Sequence, residues 1–341
     1  MVFFTGRAPR VSRILIPSIA AILAIAAFNC PAAAADELVL VRVNTFPNAK
    51  ALPFHAGVAK GIFLKHGIKL DLAFTENSRN QREGLASGKF EVAQSALDNA
   101  VAMVEVARKD VIIVGGGDSG MNEFFVQAEI KSFGDLRGRT LIVDAPDTAY
   151  ALQAKKILLQ HGLKAGADYT IKPVGAGVFR FKAMAESKEN AAAILNLPFT
   201  VQAEQLGMRS LGRTVDLLGP YQAGGAFVMR DWAARNGATL ERYLAGYVES
   251  LRWVRDPANR AEAVGLLVDK LKLPPNVAER THELLVDPSF GFNVDGRFDP
   301  EGFRNLLALR AEVQRRDGEA VAPEQYVDLG YYERAMKRLG Q

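Results

Sequence analysis

Residues 38–74, LVLVRVNTFPNAKALPFHAGVAKGIFLKHGIKLDLAF, decide the fold class because they alternate between strand and helix patterns. The apolar run at residues 38–43 predicts a strand, and residues 68–74 predict a second strand. Between them, a helical pattern begins at Pro53 and ends at Gly67, a residue type that often closes helices. Two consecutive strands joined through a helix lie parallel in one sheet. This segment therefore predicts an α/β fold.

The alternation continues along the chain, restarts at Lys131 and gives way to helices after Leu240. Two such runs predict two lobes, each a mostly parallel sheet flanked by helices, followed by a helical C-terminal region. Parallel sheets are covered by helices on both faces, so each lobe can bury its own core.

The boundaries of the lobes follow from where the pattern restarts. We expect lobe I to comprise residues 36–122 and 226–341, and lobe II to comprise residues 123–225. The extended segments at residues 122–128 and 224–229 are predicted to cross between the lobes and to act as hinges.

Residues 1–35 have the parts of a secretory signal peptide. Three arginines, with no acidic residue, precede an apolar run at residues 14–27. This run is shorter than the roughly 20 residues that span a membrane. The alanines at residues 32–35 suit a signal peptidase. We predict export to the periplasm with cleavage between Ala34 and Asp36; an uncleaved anchor is the alternative.

The charge and composition of the chain limit the classes of molecule that it is expected to bind. The chain has 42 Lys+Arg against 38 Asp+Glu, and 49% of it is hydrophobic. Three of the basic residues lie in the predicted signal peptide, which leaves 39 against 38, a net charge of +1. No clustered basic segment is visible, so no nucleic-acid partner is predicted. The only cysteine, Cys30, also lies in the predicted signal peptide, so the exported chain has no thiol.

Enzyme and metal signatures are weak. Residues 115–120 match G-x-G-x-x-G, but an extended segment follows them, whereas a dinucleotide site needs a helix there. The four histidines are scattered without metal-ligand spacing. His55, beside the first predicted cleft loop, is a minor candidate for ligand contact. We therefore predict no catalytic residue, no metal and no cofactor, and a protein that is not an enzyme.

Short polar residues gather at the carboxyl ends of the predicted strands, where open parallel sheets bind ligands. Such residues exchange hydrogen bonds with a small polar solute. Ser78, Asp98 and Thr148 could instead serve only to cap the helices that follow them. The predicted ligand-binding residues are Asn44, Thr45, Phe46, Asn77, Ser78, Ser95, Asp98, Asp118, Ser119, Asp144, Pro146, Thr148, Leu197, Pro198 and Phe199.

Several segments together resemble a known family. They are AKGIFLKHGI at residues 59–68, LASGKFEVA at 85–93, the turn at 115–118, LRGR at 136–139, DAP at 144–146, LP at 197–198 and DPANR at 256–260. In their order along the chain, these segments resemble the periplasmic substrate-binding proteins of ABC importers, in the group that serves nitrate, sulfonates, taurine and aminopyrimidines.

The resemblance implies a two-lobed type 2 periplasmic binding protein fold whose C-terminal helices return to the first lobe. It also implies that a small polar organic solute binds in a cleft between the lobes. The expected partner is an ABC transporter permease in the inner membrane, and the protein itself is expected to be a monomer.

Two other function classes stay open. One is an enzyme of the related pyrimidine-precursor synthase type, which shares the fold. That reading needs a histidine and a cysteine-rich motif, and the exported chain would contain no cysteine. The other is a solute-sensing protein that works without a transporter.

The charge of the solute also stays open. Asp98 and Asp118, if they faced the cleft, would favour a solute with an amine, an aminopyrimidine-like ring or several hydroxyls, because like charges repel at short range. If these aspartates only brace their own helix and turn, the solute could be a sulfonate. The substitution Asp98→Asn separates the two readings.

Overall fold

The computed structural model describes residues 1–8, 38–314 and 322–340. Most of the predicted signal peptide lies outside the described residues, so its outline stays a prediction. Within the described ranges, no helix is long and apolar enough to cross a membrane.

Ten strands form two five-stranded sheets in the described part of the chain. In chain order they are β1 (Val39–Thr45), β2 (Ile68–Phe74), β3 (Val92–Ala96), β4 (Val111–Asp118), β5 (Asn122–Val126), β6 (Thr140–Val143), β7 (Thr170–Pro173), β8 (Asn190–Asn196), β9 (Arg209–Arg213) and β10 (Gly224–Met229).

The two sheets have the same plan. The first has the order β2-β1-β3-β10-β4, and the second has the order β7-β6-β8-β5-β9. In each sheet one strand, β10 or β5, runs antiparallel to both of its neighbours, while the other four point the same way. This arrangement confirms the predicted α/β fold with two mostly parallel sheets.

The helices cover both faces of these sheets. In chain order they are α1 (Leu52–Ala59), α2 (Ile62–Lys65), α3 (Ser78–Ala86), α4 (Asp98–Glu105), α5 (Ala149–Gln160), α6 (Gly177–Glu186), α7 (Phe199–Gln205), α8 (Thr214–Leu218), α9 (Arg230–Arg235), α10 (Gly237–Arg255), α11 (Arg260–Leu271), α12 (Pro275–Val286), α13 (Pro300–Gln314) and α14 (Gly330–Arg338). Short 3₁₀ turns lie at Ala49–Ala51, Phe133–Leu136, Pro257–Asn259, Val294–Gly296 and Pro323–Gln325.

The helix predicted between Pro53 and Gly67 is two helices, α1 and α2. Gly61 separates them with a φ of 67°, a left-handed conformation that a helix interior does not accept. Glycine adopts this conformation without a steric cost, so the chain bends there.

The segments predicted as hinges are strands that each lie within one sheet. β5 pairs with β8 and β9 in the second sheet, and β10 pairs with β3 and β4 in the first. The chain therefore crosses between the sheets beside these strands, at residues 119–121 and through α8 and residues 219–223. The pattern of alternating apolar residues could not distinguish a crossing segment from the paired strand next to it.

Alternate residues of the strands build separate cores on the two faces of each sheet. In β4, Val111 and Ile113 pack with α4 and α13, whereas Ile112 and Val114 pack with α10. In β5, Phe124 and Phe125 likewise enter different clusters. A fifth cluster joins α1 and α10–α12 to Leu197 and Val201 of the second lobe. The C-terminal helices therefore pack on the first lobe and also touch the second.

Candidate functional site

A cavity lies between the two sheets at the carboxyl ends of their parallel strands. The space in and around it amounts to about 750 Å³, which includes open solvent. Both lobes contribute side chains. Its lining consists of Thr45, Phe46, Asn48, Lys50, Ser78, Gln94, Ser95, Ala96, Asp118, Asp144, Thr148, Ala149, Tyr150, Ala176, Gly177, Arg180, Asn196, Ala223, Gly224, Gly225, Tyr247 and Phe292.

The structure brings seven of the predicted residues together around this cavity. They come from the ends of β1, β3 and β4, from the start of α3, and from the loop between β6 and α5. The seven are Thr45, Phe46, Ser78, Ser95, Asp118, Asp144 and Thr148.

The other predicted residues are not part of the lining. Asn44 accepts a hydrogen bond from Gln81, and Asn77 caps α3 by accepting from the backbone N–H of Asn80. The carbonyl oxygen of Pro146 accepts from Lys155. Leu197 and Phe199 belong to apolar clusters. Ser119 and Pro198 also lie outside the lining.

The prediction that Asp98 contacts the solute is wrong, because its side chain lies outside the cavity lining and binds other residues. It is only 1% exposed and pairs with Arg310 of α13, with 2.8 Å between Oδ1 and Nη1. Its other oxygen accepts a hydrogen bond from the Tyr221 hydroxyl at 2.6 Å. The sequence offered no sign of this pairing, since Arg310 lies 212 residues away. Asp98 therefore fastens the C-terminal region to the first lobe.

Asp118 does line the cavity, and it faces a cation that the sequence reasoning missed. The Lys50 Nζ lies 2.7 Å from Asp118 Oδ1 and also donates to the carbonyl oxygen of Gly120. Burial opposes the charge on Lys50, but Asp118 and Tyr150 outweigh it and raise the pKa of Lys50. The contacts of Asp98 and Asp118 therefore do not support an amine held by either aspartate.

Arg180 is the second cation that sequence reasoning missed. It lies in α6, 2% exposed, and its Nη1 donates to the carbonyl oxygen of Gly175. The guanidinium stands 5.3 Å from the ring centre of Tyr150. Burial lowers the pKa of Arg180, and this effect is opposed by Asp144 and Tyr150. In the sequence, this residue is marked only by its position as a single arginine between Phe179 and Phe181.

Asp144 of the second lobe forms a hydrogen bond with the first lobe. It follows β6, and its Oδ2 accepts a hydrogen bond at 3.1 Å from the backbone N–H of Ser78, at the first turn of α3 in the other lobe. A helix N-terminus favours a carboxylate because its first N–H groups lack intrahelical partners. The other oxygen, Oδ1, is buried without a hydrogen-bond partner.

Further contacts join the two lobes. The backbone N–H of Ala176 donates to the carbonyl oxygen of Glu76 at 2.9 Å, and that of Ala49 donates to Leu197 at 3.1 Å. Arg82 of α3 lies 3.5 Å from Asp147 of the second lobe. The two lobes are therefore in direct contact, and both contribute to the lining of the cavity.

Comparison with known proteins identifies the family of the chain. Residues 48–256, more than half of the chain, match the family model described as NMT1/THI5 like. The chain belongs to this family. A comparison with curated protein sequences gives no match.

Solved structures of similar fold include several binding proteins. A protein from Bordetella bronchiseptica RB50 superposes with a TM-score of 0.76 at 20% identity, over 90% of this chain and 99% of that chain. The periplasmic nitrate-binding protein NrtA from Synechocystis PCC 6803 gives 0.71 at 13% identity, over 89% of each chain. The alkanesulfonate-binding protein SsuA from Xanthomonas axonopodis pv. citri, bound to MOPS, gives 0.70 at 16% identity, over 86% of this chain and 99% of that chain.

These findings confirm the resemblance drawn from the sequence and the two-lobed binding-protein fold. The NMT1/THI5-like match begins within the first cavity loop and ends at Asp256, after α10. It therefore includes the cavity-lining residues of both lobes from Asn48 to Tyr247. Among the described residues, no cluster of His, Cys, Asp or Glu could hold a metal ion.

Proposed function

We propose that this protein binds a small polar organic solute between its two lobes and delivers it to an ABC-type importer in the inner membrane. One observation carries the proposal: the cavity between the lobes is lined by buried charged side chains that each have one polar atom without a hydrogen-bond partner in the described chain. Arg180 Nε and Asp144 Oδ1 are both of this kind. Buried polar groups are rarely left unpaired, so a bound solute is their natural partner.

The comparisons support this role. NrtA is described as a periplasmic nitrate-binding protein, and SsuA as an alkanesulfonate-binding protein. A structure from Staphylococcus aureus with a TM-score of 0.71 is described as the ligand-binding component of an ABC-type import system. By analogy, we propose a periplasmic location, reached through the predicted signal peptide at residues 1–35, a permease as partner, and a monomeric state.

The solute-binding residues that we propose differ from the sequence-based set. Asp98 and the other residues outside the lining are left out. Four residues that the sequence reasoning missed, Lys50, Gln94, Arg180 and Asn196, are added because they line the cavity. The proposed set is Thr45, Phe46, Lys50, Ser78, Gln94, Ser95, Asp118, Asp144, Thr148, Arg180 and Asn196.

The alternative is an enzyme of the pyrimidine-precursor synthase type. In the described cavity lining there is no cysteine and no histidine, which favours binding over that chemistry. A sensor without a transporter would use the same cavity. A transport role and a sensing role therefore differ only in the partner protein. Copurification with a permease would support the transport role.

Capture of a solute from a small-molecule cell extract tests the proposal. The chain is incubated with the extract, desalted and denatured, and the released compounds are identified by mass spectrometry. We expect one enriched compound, chemically unchanged. The variant Ala96→Trp, which fills the cavity, should lose it, while Ala261→Trp, at an exposed helix position, should retain it. No enrichment, or equal enrichment by both variants, would contradict the proposal; a converted compound would favour the enzyme.

A further inference from the structure

The two lobes touch each other through two different kinds of contact. One kind is polar: Asp144 accepts a hydrogen bond from the backbone N–H of Ser78, and Arg82 lies 3.5 Å from Asp147. Water can replace either partner in a contact of this kind, so its net stabilising effect is small. Polar contacts between the lobes can therefore separate and form again.

The other kind of contact is apolar, and one example joins α5 of the second lobe to α13. Leu152 of α5 is 1% exposed and packs in the same cluster as Phe303 and Leu306 of α13. That cluster also contains Val111 of β4, so α13 is part of the first lobe. Pulling α5 away from α13 would expose apolar surface to water, which is unfavourable. We call this packing of Leu152 on α13 the α5 contact.

A second apolar contact joins α7 of the second lobe to α12. Leu197 and Val201, at and just before the start of α7, are buried in one cluster with Val277 and Leu285 of α12. Like the α5 contact, it excludes water from apolar side chains of both lobes. We call this packing of Leu197 and Val201 on α12 the α7 contact.

Each apolar contact includes a residue of one crossing segment. Met121, in the crossing at residues 119–121, belongs to the cluster of the α7 contact. Tyr221, in the crossing at residues 219–223, belongs to the cluster of the α5 contact. The two places where the chain passes between the lobes are therefore also the places where the lobes share an apolar core.

Two preserved contacts restrict how the lobes can move. If both the α5 contact and the α7 contact stay packed, the only rigid rotation left to the second lobe is about the line that joins them. The polar contacts of Asp144 and Arg82 can open during this rotation, because solvent can satisfy their groups. Domain closure commonly uses a few residues at the crossing segments in this way.

We infer that α12 and α13 form the pivot of the molecule: the second lobe turns on them through the α7 and α5 contacts, while the polar contacts between the lobes open and close. This role goes beyond solute binding and assigns a function in motion to the C-terminal helices. It makes no assumption about which solute binds.

Two ion pairs between the lobes allow a matched test with a cross-linker. Lys156 of α5 pairs with Glu312 of α13 beside the α5 contact, whereas Arg82 pairs with Asp147 among the polar contacts. In both pairs the cation is mostly covered and the anion is about half exposed. The only cysteine of the chain is Cys30, so new cysteines can be joined specifically in a Cys30→Ser background.

The pivot link joins Lys156→Cys to Glu312→Cys, and the cleft link joins Arg82→Cys to Asp147→Cys, each with the same short bis-maleimide. We expect the pivot link to leave the radius of gyration of the solute-free chain unchanged, because it joins atoms that do not separate. The cleft link should lower that radius. In capture from a small-molecule cell extract, the pivot link should keep the yield within about 2-fold, while the cleft link should lower it at least about 10-fold.

An alanine variant tests the α5 contact without a cross-linker. Leu152→Ala removes most of the side chain that packs on α13, so the second lobe should be held less firmly and the radius of gyration of the solute-free chain should increase. Leu159→Ala, at an exposed position of the same helix, is the control and should leave the radius unchanged. A purely structural role of Leu152 would lower stability without changing the radius of the folded chain.

Three results would overturn the inference. The pivot link could change the radius of gyration as much as the cleft link, both links could leave it unchanged, or Leu152→Ala could behave like Leu159→Ala. If the unlinked chain captures no solute, the proposed function fails, but the radii of the solute-free chains still decide whether α12 and α13 form the pivot.

Discussion

Asp98, Asp118 and Asp144 lie at comparable positions in the sequence, each next to the end of a strand, but they have different partners. Asp98 pairs with Arg310, Asp118 pairs with Lys50, and Asp144 accepts from the other lobe. The partner that each aspartate acquires is set by tertiary structure, which a strand-end pattern does not reveal. At the scale of single residues, the pattern of polar residues at strand ends therefore predicted the positions of these side chains. It did not predict their partners.

The buried pair of Asp98 and Arg310 gives a prediction about stability. Asp98→Asn leaves the Arg310 guanidinium buried without its closest carboxylate, so the free energy of unfolding should fall by about 3–5 kcal/mol. Solute binding should stay within about 2-fold of the wild type, because Asp98 is outside the cavity lining. Denaturant titration and calorimetry measure the two effects.

The matched control is Asp110→Asn. Asp110 pairs with Arg230 on the surface, where its side chain is 69% exposed, so the loss should stay below about 1 kcal/mol. A loss of binding in Asp98→Asn with unchanged stability would contradict the assigned role and would restore Asp98 as a ligand residue.

His55 gives a prediction about pH. Burial, and to a lesser degree Lys270, lowers the pKa of His55 to about 4, against about 6.5 in an unfolded chain. Between these values the unfolded chain takes up a proton that the folded chain does not, so lowering the pH from about 6.5 to about 4 favours unfolding. Burial lowers the pKa of His282 too, with the same sign. His55→Gln should therefore lose less stability over this range than the wild type. Parallel stability curves for the two proteins would show that His55 is not involved.

At the scale of elements, the strand and helix order was largely predictable, because it depends on local patterns. The pattern at residues 38–74 predicted β1 and β2 with a helical segment between them. The break at Gly61 and the pairing of β10 between β3 and β4 were not predictable. The first depends on one backbone angle, and the second joins strands more than 100 residues apart.

Close packing between elements makes Gly116 of β4 difficult to replace. A Cβ at this position would lie 2.4 Å from the carbonyl oxygen of Arg297 and 2.8 Å from the Cα of Phe298. These are backbone atoms, which cannot move away by a change of rotamer. Gly116→Ala should therefore lower the free energy of unfolding by about 1–3 kcal/mol.

Gly265 provides the comparison. It is exposed in α11, and a Cβ there would meet nothing within 4 Å. Gly265→Ala should raise the free energy of unfolding by about 0.5–1 kcal/mol, because alanine loses less backbone entropy in a helix. Denaturant midpoints of both variants measure the difference. Equal effects would mean that the strand does not pack against Arg297 as described.

At the scale of the whole molecule, the two lobes are held together around the cavity. Asp144 accepts from Ser78, Arg82 lies near Asp147, and α5 packs against α13, where Lys156 pairs with Glu312. The sequence predicted two lobes, but not that the C-terminal α13 would touch the second. A solute that contacts both lobes stabilises the closed form by its extra affinity for that form.

Small-angle scattering tests this closure. The radius of gyration should decrease when the captured solute is added to the solute-free chain. In Arg82→Gln, which removes one contact between the lobes, the solute-free chain should be at least as open, and more solute should be needed to close it. An unchanged radius of gyration in the wild type would show that binding does not move the lobes.

A crystal structure of the chain with its captured solute is the most direct test of whether the cavity between the lobes is the solute site. We predict electron density for the solute between the two sheets, in contact with residues of both lobes that line the cavity. Density for the solute anywhere outside the residues that line the cavity would show that the cavity is not the solute site.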